Sequence, residues 1–100
     1  MKYTNQLMLM IAKFLYGETD AASFSFDFPA VMGSVYNDFQ AENPKLCDLL
    51  EEDLPDICSQ FDPYATGSPE TLDKFTFRQK VMGIYQQALP LSIIPSKKVS

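Results

Sequence analysis

A chain of 100 residues, 46 % hydrophobic and with eight Phe, five Tyr and five Met, carries enough apolar material for one domain with a single modest core. The formal charge of −5 argues against direct nucleic-acid binding, because neutralising a phosphate backbone takes a surplus of Lys and Arg. There is no His, no Gly-rich phosphate loop and no base for either of the two Cys, so no enzyme, metal or cofactor is expected.

The chain opens on MKYTNQLMLMIAKFLYG, where Leu7, Met10, Ile11, Phe14 and Leu15 recur at the spacing of an amphipathic helix that Gly17 ends. This apolar run is too short and too interrupted to span a bilayer, and no small-residue cleavage site follows a charged start. No membrane contact is expected, and the protein reads as cytoplasmic. Thr19 or Asp20 can cap a second helix with Phe24, Phe28, Val31, Val35 and Phe39 on one stripe. Pro29 and Gly33 inside it predict a kink or fraying near its middle.

Asn43 and Pro44 make a start signal for a third helix, an Asn cap followed by a Pro that needs no donor at the first position. At about 100° per residue, Leu46, Cys47, Leu50, Leu54, Ile57, Cys58 and Phe61 share one arc, while Asp48, Glu51, Glu52, Asp56 and Ser59 share the opposite one. That phase holds across Pro55, so the segment is one kinked helix or two nearly collinear ones. Pro costs ~3 kcal/mol in a helix interior but little in a first turn, which favours a restart with Asp53 as its cap.

The stretch FDPYATGSPE reads as a loop on its Pro and Gly content. A last helix begins near Asp73, carries Phe77, Val81, Ile84, Tyr85 and Ala88 on one face, and is expected to end before Pro90. The expected fold is therefore all-α, a compact four-helix bundle with a kinked or broken third helix over residues 1–89. Residues 90–100 are expected to form an extended or disordered tail.

The acidity is regional. Between positions 42 and 73 nine carboxylates oppose Lys45 alone, a balance of −8, while the rest of the chain balances at +3. A solvated helix face is the bland explanation, but such faces usually interleave Lys or Arg at i+4. Their absence, together with the adjoining Asp62 and Tyr64 in a proline-punctuated loop, points to a protein-binding surface for a basic partner. Calcium is a further reading, because Asp62 to Asp73 is similar to an EF-hand loop. Against it, Tyr64 stands at the third ligand position, Pro63 and Pro69 stiffen the turn, and Asp73 replaces the final Glu. Without His, Cys47 and Cys58 cannot complete a zinc site; a single disulfide and two buried thiols both remain open, with thiols the expectation.

Four segments in this order resemble the colicin D immunity protein family, bacterial self-protective proteins that include immunity proteins of contact-dependent growth inhibition systems. They are IAKFLYGE, TDAASFSFDF, the FDP tripeptide at Phe61 to Pro63, and LDxxxFRxKV from Leu72 to Val81. The resemblance, over roughly Leu7 to Leu89, implies a four-helix protein that binds its cognate toxin, typically a tRNA-cleaving nuclease domain, and occludes the active site with acids in place of substrate phosphates. Asp62, the middle of the Phe-acid-Pro tripeptide, carries over; Ser59 and Tyr64 stand where family members carry acids. The expected contact set is Asp48, Glu51, Glu52, Asp56, Ser59, Asp62 and Tyr64, in a one-to-one complex of a protein that is monomeric when free. The alternative is an acidic regulatory or adaptor protein that binds another basic protein.

Overall fold

A computed structural model describes residues 2–61 and 73–93. Among them are five α-helices: α1 (Lys2–Leu15), α2 (Ala21–Ser34), α3 (Tyr36–Glu42), α4 (Pro44–Gln60) and α5 (Lys74–Ser92). The fold is all-α. Helix α4 packs on α5, α5 on α1, α1 on α2 and α2 on α4, with α3 against α4 and α1. The EF-hand-like loop up to residue 72 and the tail from residue 94 lie outside the described residues.

Several helix ends have an identifiable cause. Gly17 adopts φ +86°, its amide donates to Phe14 O at 3.1 Å, and the amide of Glu18 donates to Lys13 O at 2.8 Å. This is a Schellman end to α1, and only glycine enters that conformation without strain. The Arg78 guanidinium on α5 adds bonds to the carbonyls of Phe14, at 3.2 Å, and Leu15. A cation thus sits at the negative end of the α1 dipole. Of the two candidate caps for α2, Asp20 is the one used, accepting from the Ser23 amide at 2.7 Å, and Asp73 does the same for α5 through Thr76 at 2.7 Å. Those amide bonds hold both carboxyls below their ordinary pKa.

Asn43 is fully buried and ties three helices together. Its Oδ1 accepts from the Leu46 amide at 3.2 Å, capping α4, while Nδ2 donates to Leu91 O of α5 at 3.0 Å and Thr4 Oγ1 of α1 at 3.4 Å. Its neighbour Glu42 accepts from the α1 amides of Tyr3 at 3.2 Å and Thr4 at 2.6 Å. Burial alone would raise the Glu42 pKa, but the bonds from Thr4 and Tyr3 outweigh it and leave the group below its usual value. The folded carboxylate is therefore favoured, so its stabilisation is complete above the unfolded pKa of about 4.3 and lost as pH falls through the lower folded value. Glu42→Gln should cost about 1 kcal/mol at pH 7, a difference from wild type that urea titrations should show shrinking at low pH.

The core draws on every helix, and the predicted stripes match it with local shifts. In α1 Met8 is buried and Met10 only half-buried; in α2 Met32 continues the stripe of Phe24 and Phe28, while Val31 and Val35 are half-buried. On α4 and at Phe61, which follows it, six of the seven predicted inward positions are buried and Ile57 is half-buried. Five phenylalanines from four parts of the chain form one ring cluster: Phe14 stacks on Phe24 at 4.7 Å and Phe61 on Phe77 at 4.6 Å, while Phe24 also meets Phe28 at 5.2 Å.

Three boundaries differ from the sequence reading. The second helix divides at Val35 (φ −110°, ψ 11°), directly after Gly33 and Ser34, and of the two residues expected to disturb it Pro29 lies inside an unbroken α2. Helix α4 runs unbroken through Pro55, so Asp53 is not a cap but an exposed mid-helix residue. The lost hydrogen bond is offset by burial of Leu54, Cys58 and Phe61 on either side of the proline. Helix α5 likewise continues through Pro90 to Ser92. The carbonyl that Pro90 leaves without a donor belongs to exposed Gln86, where water can serve it, and the last turn is held by the bond from Asn43 to Leu91 O.

Two glycine substitutions should move stability in opposite directions. Neither added methyl would meet an atom within 4 Å. Gly17→Ala should therefore lose about 1–2 kcal/mol through backbone strain alone. Gly83→Ala, inside α5, should gain ~0.5–1 kcal/mol by helix propensity, both measured by urea denaturation.

Candidate acidic face and the groove beside it

Asp48, Glu51, Glu52, Asp56 and Ser59 are all exposed on α4, opposite its buried arc, as their phase predicts. Asp62 and Tyr64 lie outside the described residues. The five are not equivalent. Asp48, Glu52 and Asp56, each one turn from the next, make an outward anionic stripe. The Ser59 hydroxyl donates back to Asp56 O at 2.9 Å.

Glu51 sits at the inner edge beside Tyr36 of α3. Its carboxylate favours the protonated phenol and, with burial, pushes the Tyr36 pKa up to about 12. Glu51 therefore has a partner within the fold that its position in the sequence gives no sign of. Glu42 and Asp73, counted with the acidic third of the chain, are helix-end ligands.

Glu51, Pro55 and Ser59, at i, i+4 and i+8, form one wall of a groove between α4 and α2. The opposite wall is built from Phe26, Pro29 and Gly33 of α2. Two cavities, of about 440 and 160 Å³, share Pro29 and Pro55. Phe26 is 69 % exposed at the rim, an unusual position for a large ring. The sequence reading missed this groove, although Pro29 and Phe26 were visible, because it exists only once the two helices are set side by side.

Neither thiol offers chemistry to the site. Cys47 and Cys58 are free and buried, and eleven residues apart on one helix they stand about 16 Å apart along its axis, too far for a disulfide. Burial pushes the Cys58 thiol up to about 12 and also raises Cys47, with Glu51 and Asp48 adding to the effect there.

Fold and site together define an all-α domain with an anionic helix face beside an apolar groove. Among the described residues no helix is long and apolar enough to cross a membrane. No protein-family model matches the chain, and no curated protein or solved structure is significantly similar to it.

Proposed function

We propose that this protein is an immunity protein that binds a cognate bacterial toxin one-to-one in the cytoplasm and covers the toxin's basic active site. The toxin proposed is a tRNA-cleaving nuclease domain. The observation that carries the reading is the stripe of Asp48, Glu52 and Asp56, three exposed carboxylates on successive turns of a helix whose other face is firmly buried. An enzyme that cleaves RNA must hold a polyanion, so a rigid anionic surface can compete for the same site. Glu51 and Ser59 border the stripe, and Asp62 and Tyr64 follow it in the sequence.

The segments that resemble the colicin D immunity family add support. Counting α2 and α3, which meet at Val35, as one bent helix gives a four-helix arrangement like that family's. The protein acts by occupancy rather than by chemistry, with an interface of about 1,600 Å² in total.

The test is co-expression with the C-terminal domain of a large secreted toxin encoded beside this gene. Rescue of growth together with co-purification as a one-to-one complex is expected. Growth arrest with no complex would rule the reading out in favour of an acidic adaptor for a different basic protein.

A further inference from the structure

Pro29 and Pro55 stand on neighbouring helices and border the same groove. A proline has no N–H, so the carbonyls four residues earlier, those of Ser25 and Glu51, lose their i+4 donor. Both of those residues also line the groove. Below them the floor is apolar, with Met32, Cys58 and Phe61 buried, and the combined space falls in the range of ligand clefts, about 300–1,000 Å³. Among the described residues no Lys or Arg lines either cavity, whereas Glu51 stands in the wall and Asp56 and Asp27 adjoin it in sequence.

We infer that the groove takes one apolar side chain of a protein partner, from a segment that carries Lys or Arg within a turn of it. The apolar group fills the space between Pro29 and Pro55. The cation's N–H donors meet Glu51 and the carbonyls whose i+4 donors the prolines remove. This rests on the reading of the α4 face as a protein-docking surface, and it locates the apolar anchor which an anionic stripe alone does not supply. Surface charge chiefly speeds encounter, while a desolvated anchor in a pocket slows dissociation. It also gives a function to two helix-interior prolines that each destabilise the fold.

The test needs no toxin. The ¹⁵N-labelled protein is titrated with two synthetic twelve-residue peptides of equal Lys content, one with a central Phe and the other with Ser in its place. The Phe peptide should bind at least tenfold more tightly and shift the amides of Gly33 and Ser59. Pro55→Ala restores a donor to the Glu51 carbonyl and removes one wall, so it should melt at a higher temperature yet lose the preference for Phe. Gly33→Trp, at a site where an added Cβ meets nothing within 4 Å, blocks the groove without touching either proline and should lose the same preference. Equal affinity for the two peptides, or a Phe preference that survives Gly33→Trp, would overturn the inference. Failure of the immunity reading shows separately, as a toxin domain that does not co-purify. Failure of the groove leaves toxin binding through Asp48, Glu52 and Asp56 intact.

Discussion

Phe77→Ala should destabilise the protein by about 3–5 kcal/mol, the largest loss expected from any single substitution in the core. The ring is fully buried and meets three others: Phe61 stacked at 4.6 Å, Phe14 at 5.3 Å and Phe24 at 6.1 Å. It therefore joins α5 to α1, to α2 and to the residue that ends α4, so truncation leaves a cavity that no one helix can close by shifting. Aromatic pairs of this kind add ~0.5–1.5 kcal/mol each beyond the area they bury. Against a total stability of about 5–15 kcal/mol for a domain, the loss brings the protein close to unfolding at 37 °C. Phe77→Leu keeps much of the volume and should recover more than half of the loss in guanidinium denaturation. A loss below about 1.5 kcal/mol for Phe77→Ala would mean that the cluster packs loosely.

Much of this core was legible in the sequence, and the reasons differ by element. The buried arc of α4 was readable because seven apolar positions and five polar ones keep opposite phases through four turns. Pro55 and Pro90 were misread because a local rule weighs the missing hydrogen bond and cannot weigh the packing that holds the helix together: Leu54, Cys58 and Phe61 in one case, the Asn43 bond to Leu91 in the other. The break at Val35 was signalled only by Gly33, since the spacing of Val31, Val35 and Phe39 passes straight through it. Glu42 and Arg78 serve the two ends of α1 from 38 and 63 residues away, and nothing in their neighbours announces that. Phe61, Phe77 and Arg78, which help carry the family resemblance, turn out to pack and cap. In the candidate site, exposure of Asp48, Glu52 and Asp56 followed from phase alone. The tie between Glu51 and Tyr36, and the groove beside it, depended on how α2, α3 and α4 are placed.

Glu52→Lys combined with Asp56→Lys should weaken binding to the toxin domain by about 2–5 kcal/mol, a loss of roughly 30-fold to several thousandfold. Both side chains are exposed near the middle of the stripe, so reversal changes the field where a basic active site would meet it and leaves the buried arc of α4 untouched. The folded state should keep its stability within about 0.5 kcal/mol, because reversal turns the repulsion between positions 48 and 52 into attraction and leaves a like-charge pair at 52 and 56 as before. Two signatures separate this from a general loss of fold. Association should slow more than dissociation quickens, and the dependence of the association rate on salt should flatten, since steering by like charges on one face is what has been removed. Asp53→Asn is the matched control: as an exposed residue inside a continuous helix it should alter stability by no more than about 0.5 kcal/mol, where a true cap would lose about 1. Surface plasmon resonance at two salt concentrations, with circular dichroism on the same samples, measures all of these. An unchanged dissociation constant for the double variant would make the stripe an ordinary solvated helix face and move the search for the contact to the groove.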